Sequence, residues 1–555
     1  LFREFAIVLS SAVFVSLIVS LTTTPMMYAT LLKSEGPRTR GLLYKTSERV
    51  FDWMHRTYDT SLAWALRHDR FMVALLLVMF VLNIYLLDII PKGFFPEQDT
   101  GRISGTIQAA QDISFQAMKE KLVEVVNIIK SDPEVDYVSG FTGGGGGSTT
   151  NTARMFITLK PFSERKSLMG QIIARLRKKL AFVPGAPTFL QPVQDLRVGG
   201  RLSNAMYQYT LQGESLPELA VWAQRLVQKM RTMPALVDVS SDLQNKGLQA
   251  TLVIDRNTAS RMGITSELID NILYGAFGQD QVSVMYTLLN QYHVVMEVEP
   301  KYWQHPDTLK DIYVPSPDGS QVPLSAFTHY EPTSAPLAVN HQSQFPAVTA
   351  SFNLAPGASI GDAVKAIQAA VRDLGFPENI HASFQGTAQA FQASLANEPI
   401  LILFALITVY IVLGMLYESY IHPVTILSTL PSAGVGATLC LMFFGMDLSI
   451  IAIIGIILLI GIVKKNGIMM VDFALETERK EKKSPEDAIY QACLLRFRPI
   501  MMTTMAALLG ALPLALAGGS GSELRRPLGL TIIGGLLFSQ MLTAKKRERI
   551  IHEQI

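Results

Sequence analysis

The sequence predicts an α+β membrane protein, a transmembrane helical bundle that carries a large mixed outer region. Three observations predict it. The 555 residues are 49% hydrophobic and only 17% charged, below the roughly 25% usual in soluble domains. The apolar residues fall in blocks at the two ends of the chain, and the stretch between Pro91 and Glu398 has a soluble character. Within that stretch, strand-like and helix-like patterns alternate.

A membrane span needs about 20 mostly apolar residues. Seven segments meet or approach this: Phe5–Leu32, Phe71–Ile90, Pro399–Tyr417, His422–Gly445, Leu448–Phe473, Pro499–Ala517 and Pro527–Thr543. The last is short and stops at the basic run from Lys545 to Arg549. The chain begins with Leu1, enters a hydrophobic run at once and shows no basic leader with a cleavage site. This predicts a fragment whose N-terminal part is missing.

Lysine and arginine in short loops set orientation. Lys33–Arg70 carries Lys33, Arg38, Arg40, Lys45, Arg49, Arg56, Arg67 and Arg70, and Ala474–Arg498 carries Arg479, Lys480, Lys482, Lys483, Arg496 and Arg498. Both are expected on the cytoplasmic side. Four spans lie between them, an even number, so the two assignments agree and Pro91–Glu398 falls outside the cytoplasm. Between Val50 and Leu66, apolar residues including Trp53 and Trp64 interleave with Arg56. This reads either as a helix lying along the membrane surface or as one packed under the bundle.

The outer region repeats one pattern. Strand-like Arg102–Ala109, helical Ser114–Lys130, strand-like Val135–Gly140 and Met155–Lys160, helical Leu168–Leu180 and strand-like Thr188–Val193 give β-α-β-β-α-β, the ferredoxin-like split motif. Tyr207–Gln212, Leu216–Met233 and Val237–Ser241 form half of a second unit, with Ala347–Asn353, Ile360–Leu374 and Ile380–Gln385 as the other half. An insertion near Asp255–Ala335 separates the halves. It holds a hairpin, Gln281–Met285 with Tyr292–Val298, and a turn at Pro317-Asp318-Gly319.

Composition excludes several functions. A net charge of +2 gives no reason to expect a nucleic-acid partner. Cys440 and Cys493 lie in or beside apolar segments and build neither a disulfide framework nor a zinc ligand set. No nucleophile–base set stands out in the outer region, so no enzyme, cofactor or metal site is expected.

The most informative local feature is Lys464-Lys465-Asn466 inside the span Leu448–Phe473. A lysine at hydrocarbon depth costs at least about 2.5 kcal/mol on insertion scales and should face an anionic or carbonyl partner in the bundle interior. Lys464 is within snorkelling reach of the headgroups. Lys465 lies about 13 Å of helical rise from the cytoplasmic end, so it is expected to be the buried, functional one. Asp472 shares its face two turns on. Arg496 and Arg498 precede Pro499, and Thr503 shares the face of Arg496. A threonine there also bonds readily to its own helix. Gly143, Gly144, Gly145, Gly146 and Gly147 form a loop between two strands. No lysine follows at P-loop spacing, which leaves a mobile gate or a surface linker.

These motifs together resemble the RND (resistance-nodulation-division) efflux transporters of the hydrophobe and amphiphile type. Leu459–Ala474 resembles their tenth transmembrane helix, Arg496–Thr504 the start of the eleventh, and Phe94–Gly101 the junction after the seventh. Leu416–Tyr420 and Ser428–Pro431 resemble the link and start of the eighth and ninth. The motifs occur in family order at family spacing, up to about Thr543. The resemblance implies the C-terminal part of a proton/drug antiporter in the Gram-negative inner membrane. It implies a homo- or heterotrimer of RND subunits that meets membrane lipids and works with a periplasmic adaptor and an outer-membrane channel. Drugs and protons are the small ligands. Lys465, Arg496 and Thr503 match the proton relay, the glycine loop matches the switch loop, and Phe141 and Phe156 match aromatics on either side of it. The family's second switch-loop aromatic is Gly143 here. The proton-binding carboxylates belong to a helix with no counterpart in this chain. The rivals are a non-transporting structural subunit of a mixed trimer and a heavy-metal exporter, although Met155, Met206, Met285 and Met296 are scattered in sequence.

The expected division is a transmembrane helix at 1–32, a cytoplasmic interfacial segment at 33–70 and a second transmembrane helix at 71–90. A periplasmic porter subdomain follows at 91–200, then the halves of a second at 201–254 and 336–398 around a docking module at 255–335. Five transmembrane helices occupy 399–543, with a cytoplasmic loop at 474–498, and a basic tail closes the chain at 544–555.

Overall fold

A computed structural model of the protein describes residues 2–31, 42–143, 149–201 and 203–543. Three helices open the chain: α1 (Phe2–Leu31), α2 (Leu42–Arg67) and α3 (Asp69–Ile89). On α2, Tyr58, Leu62 and Ala65 are buried while Trp53 and Trp64 are exposed. One face of this helix is therefore packed under the bundle, and apolar residues also occupy its open face.

The first outer unit runs β1 (Arg102–Gln108), α4 (Phe115–Lys130), β2 (Val135–Thr142), β3 (Thr152–Leu159), α5 (Met169–Leu180), β4 (Thr188–Pro192). Its antiparallel sheet has the order β2-β3-β1-β4. Period-two alternation puts Ala153, Met155 and Ile157 on one face, where Met118, Val125, Ile172 and Leu176 of the two helices cover them. The second unit starts with β5 (Tyr207–Gln212), α6 (Leu216–Arg231) and β6 (Leu236–Ser241).

An insertion then leaves the sheet. It comprises β7 (Gly247–Ile254), α7 (Arg256–Arg261), α8 (Ser266–Phe277), β8 (Asp280–Tyr286), β9 (Gln291–Met296), β10 (Tyr313–Pro315), β11 (Gln321–Pro323) and β12 (Thr328–Ala335). The hairpin expected near 281–298 is present as β8–β9. The boundary at Asp255 is corrected, because β7 pairs along its length with β12 and so belongs to the insertion. Sequence alternation reveals a strand but not a partner some eighty residues away. The second unit resumes with β13 (His341–Gln342), β14 (Phe345–Leu354), α9 (Ile360–Leu374) and β15 (His381–Gln385). β14 pairs with both β5 and β6, and β15 with β5. The order β6-β14-β5-β15 repeats that of the first sheet.

The bundle returns with α10 (Thr387–Tyr417), α11 (Ile421–Leu427), α12 (Leu430–Phe443), α13 (Ile450–Glu481), α14 (Pro485–Ala515) and α15 (Ser522–Thr543). Among the described residues, six helices are long and apolar enough to cross a membrane: Ala6–Leu31, Asp69–Ile89, Ile400–Tyr417, Ile421–Phe443, Ile450–Glu481 and Pro485–Ala515. The seventh expected span falls short. Its apolar run begins only at Pro527, after Glu523, Arg525 and Arg526, and does not reach the roughly 20 residues a span needs. It is still a core helix, with Leu530, Ile532 and Leu536 buried. Its contact with α12 is backbone to backbone. A Cβ on Gly534 would lie 2.3 Å from the Cys440 Cβ and 2.6 Å from the Gly436 carbonyl oxygen, the small-residue packing that lets apolar helices approach.

One further expectation is corrected, and another gains a detail. The span expected at His422–Gly445 is present as Ile421–Phe443, with a two-residue break at Ser428–Thr429, where α11 and α12 meet. Pro431 supplies no N–H to the preceding turn, and Ser428 and Thr429 instead donate their hydroxyls to the carbonyls of Thr425 and Ile426. The segment 474–498, expected as a loop, is helical except at Lys482–Ser484. Its Glu, Lys and Arg residues are good helix formers, and the Ser484 hydroxyl caps Asp487 N–H to restart the helix at once.

Candidate functional site

The segment Lys464-Lys465-Asn466 lies mid-way along α13. The buried residues of this helix include Leu459, Val463, Asn466, Gly467 and Met470, one face at helical spacing. Lys465 is off that face. It is exposed, as are Gly461 and Asp472, and Lys464 is half-buried. Burial thus runs opposite to expectation, because the face bearing Lys465 is uncovered among the described residues. Arg496 sets its guanidinium 4.7 Å over the Phe473 ring, and its buried Nε has no hydrogen-bond partner among the described residues. Thr503 donates its hydroxyl to the Ile500 carbonyl at 3.0 Å, the self-bonding that threonines adopt in helices. The structure does not bring Lys465, Arg496 and Thr503 into contact with one another.

It gathers three other polar residues. The Asn466 amide donates to the Thr504 hydroxyl at 3.3 Å, and that hydroxyl donates to Gln540 Oε1 at 3.3 Å. Asn466 and Thr504 are buried. The chain joins α13, α14 and α15 through their interior. Polar residues in apolar runs were the available signal, but nothing in a linear pattern pairs residues on three separate helices.

In the outer region the structure brings Phe141 and Phe156 together. They stand on neighbouring strands β2 and β3 with ring centroids 6.0 Å apart, both about half exposed. Gly143 has φ +95, and a Cβ there would lie 2.9 Å from the Phe115 ring. The Phe115 ring, from the first turn of α4, thus stands beside position 143. Gly144 to Gly147 lie outside the described residues.

Phe156 also lines a cavity of about 410 Å³ between the two outer units. Gln108 and Asn204 bridge the two units across it. The Asn204 amide donates to Gln108 Oε1 at 2.7 Å, and the Gln108 amide donates to the Ser241 carbonyl at 3.3 Å. On the wall formed by the second unit, Asp242 accepts from Thr349 N–H at 2.7 Å and from the Asn340 amide at 2.9 Å. Burial pushes its carboxyl up to about 6, against the lowering effect of the Thr349 bond and of Arg201.

A family model described as the AcrB/AcrD/AcrF family matches residues 1–544. The chain belongs to the AcrB/AcrD/AcrF family. Multidrug resistance protein MdtC of Escherichia coli K12 (strain DH10B) is 55% identical over 543 residues, 98% of this chain and 53% of that protein. MdtC of Escherichia coli O6:H1 is 54% identical over the same length. The chain spans about half the length of the curated relatives it matches. The match gives a share of length and does not bear out the further expectation that this share is the C-terminal one. Among solved structures, a heavy metal efflux pump superposes with a TM-score of 0.82 at 22% identity. The superposition covers 89% of this chain and 52% of that one. At that identity the likeness concerns the fold alone, an efflux-pump fold of apolar helices with mixed α/β content.

Within this AcrB/AcrD/AcrF member, two regions therefore hold the candidate chemistry. One is α13 with its exposed Lys465, together with Arg496 on α14, which stacks further along α13 on Phe473. The other is the cleft lined by Phe156 and Asp242. Among the described residues no three His, Cys, Asp or Glu side chains gather as metal ligands.

Proposed function

We propose that this chain is part of an inner-membrane proton/drug antiporter that exports hydrophobic or amphiphilic compounds. On this reading the two outer units are ferredoxin-like porter subdomains in the periplasm, and the insertion is a docking module. The subunit assembles as a homo- or heterotrimer with a periplasmic adaptor and an outer-membrane channel. The observation that carries the reading is a cleft between paired subdomains, with aromatic and polar walls, in a member of a family of this fold. The 55% identical relatives are multidrug resistance proteins by name, which supports the substrate class.

In this mechanism Lys465 is the mobile cation. It has no ion pair among the described residues, and its stripe of α13 is open, so a further part of a full-length pump has room to cover it. An ammonium at hydrocarbon depth holds an ionised carboxylate partner and releases it on protonation. Arg496 on α14 supplies a fixed charge, and Thr503 a hydroxyl. The glycine loop from Gly143 to Gly147 acts as the switch beside Phe141 and Phe156. The test is drug susceptibility of a pump-deficient Gram-negative strain that makes the full-length protein at matched membrane levels. Lys465→Ala should abolish resistance and Lys464→Ala should reduce it less. Normal resistance with Lys465→Ala removes the relay assignment and favours a structural subunit.

A further inference from the structure

The open face of α2 carries a regular pattern. Arg49, Trp53, Arg56, Thr60, Trp64 and Arg67 are all exposed. They recur three or four residues apart, so they form one stripe along about 27 Å of helical rise. It lies opposite the buried Tyr58, Leu62 and Ala65. Two of the four tryptophans in the chain stand on it. Arg49, Arg56 and Arg67 form no ion pair among the described residues. Of the acidic residues of α2, Asp59 accepts the Tyr490 hydroxyl, Glu48 is half-buried, and only Asp52, at the edge of the stripe, is exposed.

A second observation is independent of the charge and fixes the level of the stripe. Towards one end, Phe51 lies 5.1 Å from the Arg498 guanidinium, and Tyr58 stacks on Phe497 at 4.5 Å. The apolar run of α14 starts at the next residue, Pro499. At the other end, the Trp64 ring meets His68 at 4.7 Å and Phe71 at 5.7 Å, and Phe71 is in the first turn of the apolar helix α3. Both ends of α2 thus sit where an apolar helix run begins, so α2 runs along the membrane boundary. Tryptophan concentrates at that level. A face turned to bulk water needs no tryptophan, and a face turned to neutral lipid needs no unpaired arginine.

We infer that this stripe is a binding surface for anionic phospholipid headgroups. Arg49, Arg56 and Arg67 take the phosphates, which guanidinium holds through two parallel N–H bonds. Trp53 and Trp64 seat their indoles between headgroup and acyl chain. The inference needs the membrane placement of α3 and α14 and stands apart from the transport reading. Bound lipid would press α2 onto α14 at Phe497, one residue from Arg496.

The test places the full-length protein in vesicles of four parts phosphatidylcholine and one part phosphatidylglycerol. In one preparation the phosphatidylglycerol carries bromine on its chains, and in the other an equal amount of the phosphatidylcholine does. Bromine quenches nearby indoles. The emission of Trp53 and Trp64 is the part lost in a variant with Trp53→Phe and Trp64→Phe. Brominated phosphatidylglycerol should quench it with an apparent preference of at least about fivefold, the scale of one basic residue beside an anionic surface. The triple variant Arg49→Gln, Arg56→Gln and Arg67→Gln should keep its helix content by circular dichroism, since all three positions are exposed, and should lose the preference. Salt at 1 M, where the screening length falls to about 3 Å, should shrink the preference in the parent. Equal quenching by the two lipids in the parent, or an unchanged preference in the triple variant, overturns the anionic selectivity. Quenching by neither lipid places the stripe in water or under protein and overturns the lipid surface altogether.

Discussion

Asp99 is the sharpest test of how the first outer unit is held together. Its carboxylate receives both Nη atoms of Arg165, at 2.5 and 2.8 Å, and also the backbone N–H groups of Met169 at 2.8 Å and Gly101 at 3.2 Å. The two side chains are 8% and 1% exposed. Removing one partner of a buried pair strands a charge and costs about 3–5 kcal/mol. In Asp99→Ala the stranded group is Arg165, which keeps only its contact over the Phe162 ring at 4.0 Å. Opening of the strap between β1 and the start of α5 should become more frequent by about two to four orders of magnitude, at about 1.4 kcal/mol per decade. Hydrogen exchange of the full-length protein, followed at residues 101–108 and 166–172, reads this directly. The double variant Asp99→Leu with Arg165→Met removes both charges and leaves mainly the Met169 and Gly101 amides unpaired, so it should exchange more slowly than Asp99→Ala. If Asp99→Ala exchanges like the parent, or the double variant is worse, the pair does not hold this unit and the reasoning fails.

Three further outcomes are expected. Asp242 has a folded value of about 6 against an ordinary 3.8, so its contribution to stability is full below about pH 4 and is lost as pH rises toward 6. Asp242→Asn should relieve a penalty on the order of 3 kcal/mol at pH 7 and none at pH 4, read as protection of β6 and β14; a pH-independent difference would refute it. Gly534→Ala should destabilise the bundle by about 1–3 kcal/mol through overpacking against Cys440, whereas Gly461→Ala, with open space around it, should not lower the melting temperature in detergent. A reporter fused near Gly319 should behave as periplasmic and one near Lys482 as cytoplasmic, and the reverse pattern would overturn the orientation.

Much of this architecture was legible because its signals are local. Tyr207–Gln212 and Ile360–Leu374 were read from sequence at the same residues the structure gives, since each side-chain period shows within a few residues. The β8–β9 hairpin was visible for the same reason. What was not legible depends on distant partners. The β7–β12 ladder, the Asp99–Arg165 pair and the chain from Asn466 to Gln540 each join segments that only the fold brings close. The break at Ser428–Thr429 has a signal in Pro431, but that signal sits inside a continuous apolar run. The exposure of Lys465 within this chain was not legible for a different reason. Helical phase assigns residues to a common face, but it cannot say which face a neighbour covers.

The connection between the two candidate regions rests on α13. Its first turn belongs to the second outer unit as much as to the bundle. Ile450 N–H bonds the Phe94 carbonyl at 3.1 Å, and Ile450 and Ile454 share a buried cluster with Tyr207, Phe352 and Phe384 of that unit. The strand-like link after α3 is fixed to the same place, with Lys92 bridged to Leu448 and Gly93 N–H bonded to the Leu448 carbonyl. Lys465 lies fifteen residues further along the same unbroken helix, about 22 Å of rise. No loop intervenes between the lysine and the sheet that carries Asp242. An axial shift of α13 is therefore not absorbed within the membrane. It must either strain the cluster around Ile450 or move the second unit relative to the first, and the cleft lies between those two units.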